Sequence, residues 1–211
     1  MRVGVIGTGL VGRTIAARLV ELGHEVAIGT RDVAATLAKE DDWPAPLMSF
    51  AEAAAGAELI VNATAGGVSI EALTQAGREN LAGKVLLDIS NALDHSKGFP
   101  PTLSIGDTDS MGERIQAAFP EARVVKSLNT MNAPLMAWPR NLADGQHTVF
   151  VSGNDPEAKR VVTALLTEFG HTDILDLGDI TTARGPEWLI PLWVRAWQAL
   201  GTLEFQFKLV R

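Results

Sequence analysis

The chain of 211 residues contains no cysteine. That absence removes disulfides, thiolate metal ligands and cysteine nucleophiles together. Basic stretches are missing as well. Lys and Arg number 18 against 25 Asp and Glu, a net charge of −7, so nucleic acid is not an expected partner. No apolar run approaches about 18 residues without polar breaks, and no transmembrane helix or membrane partner is expected. Met1 and Arg2 lead directly into a strand-like run with no signal-peptide pattern, which points to a cytoplasmic protein. Histidine is scarce, at four. No HxxH or HExxH spacing occurs, so no metal site is expected. His24 suits a structural place near a helix C-terminus, and His147 and His171 read as surface residues. His95, in a polar loop, is the one histidine that suits a proton donor.

What is present is concentrated at the start. Residues 2–31 read RVGVIGTGLVGRTIAARLVELGHEVAIGTR. The apolar run 3–6 feeds into Gly7-Thr8-Gly9-Leu10-Val11-Gly12, then an Ala/Leu/Ile-rich helical stretch, then a second apolar run ending at Gly29. Strand, glycine turn, helix and strand within about 30 residues is the spacing of a βαβ dinucleotide site. Gly7 allows the tight turn, Gly9 lets a pyrophosphate approach the backbone, and Gly12 lets the helix lie close to the strand. The N–H groups opening that helix then face the phosphates. At the second strand's end, NAD-preferring enzymes usually place Asp or Glu to accept from the ribose 2′-hydroxyl. Here Thr30 and Arg31 stand at that point. A hydroxyl and a guanidinium suit a 2′-phosphate and so favour NADP. Asp32 is the competing signal. The run Lys39-Glu40-Asp41-Asp42 reads as a solvated loop.

Beyond this unit, helical and strand patterns alternate. Strands are expected over 58–62, 84–89, 123–126, 147–151 and 172–177. Helices are expected from 70 to about 80 with Ser69 as N-cap, from 109 or 110 to about 119, after Asn132 with Pro134 in the first turn, and over 155–169. Residues 93–107 read as a loop crossing the molecule. The result is an α/β protein, a Rossmann-like doubly wound and mostly parallel sheet with a small C-terminal helical and extended appendage. Residues 1–153 make the nucleotide-binding domain and 154–211 a C-terminal α/β extension. In that extension residues 186–200 are apolar at nearly every position and hold three of the five tryptophans. A helix this apolar is expected to be buried on more than one side, against its own domain or a second copy. Residues 203–209 alternate strictly and read as a strand or extended arm.

Ligands of open α/β sheets sit at the carboxyl ends of the strands. Those ends carry small, amide and hydroxyl residues, a rim suited to a planar cofactor held by hydrogen bonds rather than to charged acid–base chemistry. Ala63 and Thr64 are expected near a nicotinamide ribose, and Asn129, Thr130 and Met131 near its carboxamide or a second substrate.

With these motifs in place, the chain resembles the F420-dependent NADP oxidoreductases. The matching residues are Gly7-Thr8-Gly9 through Gly12, Gly29-Thr30-Arg31, the strand ending at Asp88 with Asn91 beyond it, and the run Val124-Val125-Lys126-Ser127-Leu128-Asn129-Thr130. The resemblance implies direct hydride transfer between NADPH and the deazaflavin F420 or a flavin-like acceptor, in a homodimer. It also implies that the segment from Lys126 to Thr130 lines the cleft where nicotinamide and deazaflavin stack. The chain departs from the family pattern at Ala92, where proline is usual, and over residues 62–64. Both departures fall on the acceptor side. Direct transfer needs no catalytic dyad, only donor and acceptor within about 3–3.5 Å and water excluded. Two rivals share the first βαβ unit: a dehydrogenase or imine reductase of the β-hydroxyacid or pyrroline-carboxylate reductase type, and an NADP-binding redox sensor without turnover.

Overall fold

The computed structural model describes residues 1–106 and 108–211. Asp107, where the crossing loop was expected to end, lies outside the described residues. In chain order the elements are β1 (Arg2–Ile6), α1 (Leu10–Glu21), β2 (Glu25–Thr30), α2 (Val33–Leu37), β3 (Leu47–Ser49), α3 (Phe50–Gly56), β4 (Leu59–Asn62), α4 (Gly66–Ala76), α5 (Arg78–Leu81) and β5 (Val85–Asp88). They continue as β6 (Leu93–Asp94), β7 (Thr102–Leu103), α6 (Met111–Ala118), β8 (Arg123–Ser127), α7 (Ala133–Ala137), β9 (Thr148–Gly153), α8 (Pro156–Phe169), β10 (Asp173–Gly178) and α9 (Arg184–Leu200).

Eight strands form one sheet in the order β10-β9-β8-β5-β4-β1-β2-β3. All neighbours run parallel except β8 and β9. The central strands are apolar at successive positions because both faces are covered. Val3, Val5, Leu59, Val61, Val85 and Leu87 point to one face, where α1, α7 and α8 pack. Ile6, Ile60, Leu86 and Val124 point to the other, under α3, α4 and α6. The α1 helix buries Ile15, Ala16 and Leu19, spaced three and four apart as one helical stripe requires. Asp155 caps α8 by accepting from the Ala158 N–H, and the helix buries Val162, Leu165, Leu166 and Phe169. The chain passes from β1 outward to β3 and then returns to β4. The gap between β1 and β4 is therefore the topological switch point, where a doubly wound sheet opens a crevice.

Several expectations are corrected. The helix expected from 70 begins at Gly66, and Ser69 is not its N-cap. A Cβ on Gly66 would stand 2.5 Å from the Asn91 carbonyl oxygen, so the chain turns into helix there, pressed against the loop after β5. Ser69 is wholly buried, and its hydroxyl bonds Asn62 and Thr64 instead of a helix N–H. The short elements β3 and α3 have no counterpart in the sequence reading. The crossing loop contains a small antiparallel hairpin, β6 with β7. The α9 helix is buried on one face only, through Pro186, Glu187, Ile190 and Val194. Trp188, Leu192 and Leu200 are 41, 55 and 58% exposed, so the single chain does not cover it on a second side. Residues 203–209 do not join the sheet. They run as an extended arm, with the Thr148 N–H donating to the Phe207 carbonyl (3.0 Å) and Lys208 paired to Asp173.

His147 and His171 are not surface residues; they are 3 and 2% exposed, with ring centroids 5.7 Å apart. Each Nε2 lies against a carbonyl, of Pro139 at 3.3 Å and Met136 at 3.1 Å, and each Nδ1 is buried with no partner among the described residues. Strand-start and post-helix positions look exposed in one dimension, but α7 and the following turn fold over both rings. Burial lowers the pKa of His147 and brings that of His171 from 6.5 down to about 4. The unfolded chain takes up this proton near pH 6.5 and the folded chain only near 4. Stability is therefore full above about pH 6.5 and falls as the pH drops toward 4, by roughly 3 kcal/mol for His171 alone. Urea denaturation across that window, with H171F as reference, should show a pH slope that the variant lacks.

Candidate functional site

The crevice at the switch point is a cleft of about 450 Å³ lined by Gly7, Thr8, Gly9, Thr30, Arg31, Thr36, Lys39, Ala63 and Thr64, among others. Its floor is the turn from β1 into α1. Gly7 has φ +121°, open only to glycine, and a Cβ on Gly12 would lie 2.1 Å from the Gly7 carbonyl oxygen. Helix and strand therefore meet at backbone contact. Gly9 differs, since a Cβ there would meet nothing within 4 Å, so the space beside it belongs to the cleft. Gly9 is also the N-cap of α1. The positive end of a 12-residue helix thus faces the cleft, with no side-chain cap and no acidic residue in its own first turn. Leu10 starts that helix and is 72% exposed, while Val11 packs partly against the core.

At one end of the cleft the strand β2 delivers Thr30 and Arg31. Thr30 is buried, its hydroxyl bonded to that of Thr36 at 2.8 Å. Arg31 is exposed and has no ion-pair or hydrogen-bond partner among the described residues. Asp32, the competing signal, lines the cleft beside Arg31; its Oδ1 accepts from the Ala35 N–H at 2.9 Å as the N-cap of α2. Lys39 adds a second cation to the lining. Its loop is not merely solvated: Arg13 from α1 pairs with Glu40, donates to the Asp42 carbonyl at 2.9 Å and stacks on Trp43 with 4.6 Å to the ring centre. Charge type alone could not separate Lys39 from its acidic neighbours, because its position depends on Arg13 across the cleft wall.

Beneath the carboxyl edge of the sheet lies a charged cluster that the small, neutral rim residues conceal. Asn62, Asp88 and Lys126 are register partners on β4, β5 and β8 and share one face. Lys126 Nζ lies 2.8 Å from Asp88 Oδ2 and 2.9 Å from Glu187 Oε1 on α9, and it also donates to the Ser90 carbonyl. Asp88 and Lys126 are wholly buried and Glu187 nearly so. Burial pulls the Lys126 pKa down, but the Asp88 and Glu187 carboxylates outweigh it, leaving the ammonium above the usual lysine value. Glu187 in turn accepts from the Met111 and Gly112 N–H groups at 2.7 and 3.0 Å, at the N-terminus of α6. The Asp88 carboxylate accepts from the Asn62 amide at 2.8 Å and the Ser90 hydroxyl at 2.8 Å. Glu187 lies within the apolar tail pattern and gave no signal of its own in the sequence.

Asn129, Thr130 and Met131 do not line this cleft. They are 3, 2 and 5% exposed. Leu128, with φ +63°, turns the chain sharply after β8 in a region that side chains other than glycine rarely occupy. Asn129 then donates to Asn91 Oδ1 at 3.0 Å and to the Pro186 carbonyl at 3.1 Å. Asn91 donates back to the Asn129 carbonyl at 2.8 Å. The Thr130 carbonyl accepts from Gln206 of the C-terminal arm. The segment joins the loop after β5 to α9 and the arm. Beside it an aromatic group gathers: Trp193 stacks on Phe205 at 5.1 Å, and Phe99 meets Trp197 edge-on at 5.3 Å.

The cleft thus offers an open helix N-terminus over a glycine turn and, at the tip of β2, the cations Arg31 and Lys39 with the Asp32 carboxylate beside them. Among the described residues no three His, Asp or Glu side chains gather to hold a metal ion, and no helix is long and apolar enough to cross a membrane. The family model described as NADP oxidoreductase, coenzyme F420-dependent, matches residues 2–92. A crystal structure from Arthrobacter sp. FB24, assigned as an F420-dependent NADP-reductase, shares 59% identity and a TM-score of 0.97, each chain being covered in full. The rat (Rattus norvegicus) metalloreductase STEAP3 is 30% identical over 198 residues, 91% of this chain. This chain spans about two fifths of the length of the metalloreductases it matches. The F420-dependent NADP reductase of Methanocaldococcus jannaschii is 29% identical over 118 residues, 56% of this chain and 52% of that protein.

Proposed function

We propose, from the premise that this chain belongs to the F420-dependent NADP oxidoreductase family, that it moves a hydride directly between NADP(H) and the deazaflavin F420 or a flavin-like acceptor. As a member of that family it is an NADP-dependent oxidoreductase. The observation that supports the cofactor preference is the pair of cations at this end of the cleft: Arg31 has no partner among the described residues, Lys39 lies beside it, and the one carboxylate there, Asp32, is partly held by the α2 cap. Thr8, Gly9, Leu10 and Val11 hold the pyrophosphate with backbone N–H groups, and Thr30, Arg31 and Lys39 hold the 2′-phosphate. Ala63 and Thr64 lie along the nicotinamide ribose, and the segment Asn129, Thr130 and Met131 shapes the acceptor side from below. NADP(H), when bound, supplies or takes the hydride. The protein's part is to orient the two rings and exclude water, which needs no acid–base pair at the surface of the site.

Residues 154–211 serve as the acceptor-side and dimer-forming extension. The exposed Trp188, Leu192 and Leu200 on α9 support a homodimer, since burying the exposed half of each leucine would contribute about 1–1.5 kcal/mol. The likeness to metalloreductases supports a second acceptor class, a metal ion or its chelate. One experiment separates these readings. Purified protein is mixed with NADPH and the loss of reduced-nicotinamide absorbance is followed with F420, FMN, FAD or a ferric chelate, with chain mass measured by light scattering. Fastest oxidation with F420, in a two-chain particle, is expected. NADPH binding without oxidation by any acceptor would instead mark a redox sensor, and a one-chain mass would exclude the dimer.

A further inference from the structure

The charged cluster under the sheet edge is not explained by hydride transfer, which asks for no buried ions. It is also an expensive way to hold a fold. Taking two carboxylates and an ammonium out of water costs more than packing apolar side chains of the same volume. The cluster does not stand alone, however. The Thr64 hydroxyl, on the cleft lining, donates to Asn62 Oδ1 at 2.7 Å, and the Asn62 amide donates to Asp88 at 2.8 Å. Lys126 then donates to both Asp88 and Glu187. Each link has one possible direction. Lysine can only donate and an ionised carboxylate can only accept, so the Asn62 amide must point its NH₂ at Asp88 and its oxygen at Thr64. The chain of bonds runs without a gap from the nucleotide cleft to α9, and Glu187 extends it to the N-terminus of α6.

We propose that Lys126 is a positioning residue of the hydride-transfer site, fixing Thr64 on the nucleotide side and α9 on the acceptor side through one ammonium. This inference rests on the reading of the cleft as an NADP site. A set of bonds with no free donor resists rotation at Thr64, and the same ammonium sets how far α9 stands from the sheet. A loosened link would leave the 2′-phosphate grip intact, because Arg31 and Lys39 belong to the far end of the cleft. It would let the two reacting rings drift.

The test uses the full chain and the variants Glu187→Gln, Asp88→Asn and the double variant, with Ser69→Ala as a gentler break beside Asn62 and Thr64. Calorimetry gives the Kd for NADPH, the emission of bound NADPH reports the nicotinamide surroundings, and kcat is taken with the best acceptor of the preceding screen. In the single variants the Kd should stay within about threefold while kcat falls about 10- to 100-fold, and the emission of bound NADPH should change. The double variant should lose little more than the worse single one, because both break the same chain. Ser69→Ala should move kcat and emission in the same direction by about threefold, which keeps the test decisive if a charge variant fails to fold. Unchanged kcat and emission in folded variants, with only a lower melting temperature, would reduce the cluster to structural glue and overturn the proposal. Effects that multiply in the double variant would do the same. No heat from NADPH with the unaltered protein would instead remove the cleft reading itself.

Discussion

Arg31→Ala will raise the KM for NADPH about 10- to 100-fold and change that for NADH less than about twofold. The range follows from removing charge-assisted hydrogen bonds worth about 1.5–3 kcal/mol, at about 1.4 kcal/mol per tenfold. The discrimination rests on geometry. Arg31 is exposed at the cleft end with no partner among the described residues, so its guanidinium is available to a phosphate and the fold loses nothing without it. NADH has no 2′-phosphate and cannot report the loss. Added salt should narrow the gap between the two coenzymes in the unaltered protein, since an exposed contact is screened. Steady-state kinetics with both coenzymes checks this. Equal losses for NADPH and NADH would show that Arg31 acts on the adenosine or on the fold instead.

Alanine at Gly12 and at Gly9 should fail in opposite ways. At Gly12 the new Cβ would stand 2.1 Å from a backbone oxygen, which cannot swing aside as a flexible side chain could. The turn must open. The expected loss is about 1–3 kcal/mol of stability, or a melting temperature lower by about 2–4 °C for each kcal/mol, together with loss of NADPH binding. At Gly9 the backbone is extended, φ −74° and ψ 179°, which any residue adopts, and the Cβ meets open space. The variant should melt within about 1 °C of the unaltered protein yet bind NADPH about tenfold more weakly, because the methyl group occupies the approach of the pyrophosphate. Thermal melts and calorimetry on the pair check both. A Gly9→Ala protein that binds normally would place the pyrophosphate elsewhere.

The first βαβ unit was legible because its signal is local. Glycines at 7, 9 and 12, a 3.6-residue apolar stripe and a charged strand tip all fall within 30 residues. The strand runs of the central sheet were equally plain, since burial on both faces leaves unbroken apolar stretches. Legibility failed where contacts are long-range. Ser69 looks like a cap because serine before an apolar run usually is one, and only the meeting of β4 with α4 turns its hydroxyl inward. His147 and His171 are 24 residues apart and bury each other, which no single window can display. Glu187 sits among tryptophans, leucines and isoleucine, so the pattern hid a charged side chain that joins α9 to the sheet. Lys39 was hidden by its acidic neighbours, because its place on the cleft depends on Arg13 of another element. The resemblance pointed to the Lys126–Thr130 run as cleft lining. Lys126 and Asn129 are 1 and 3% exposed, which no reading of residue type at a strand end would show.

Trp43 gives the cleft a built-in optical probe. Its indole is clamped beneath Arg13 in the loop that brings Lys39 to the rim, while three of the other four tryptophans belong to α9. Indole emission overlaps the absorption of a reduced nicotinamide, so resonance transfer from Trp43 would read arrival of the reduced coenzyme. The α9 indoles would read events on the acceptor side. Replacing one set with phenylalanine would separate coenzyme arrival from acceptor arrival in a stopped-flow trace, with no dye attached and no thiol in the chain to complicate the labelling of a partner.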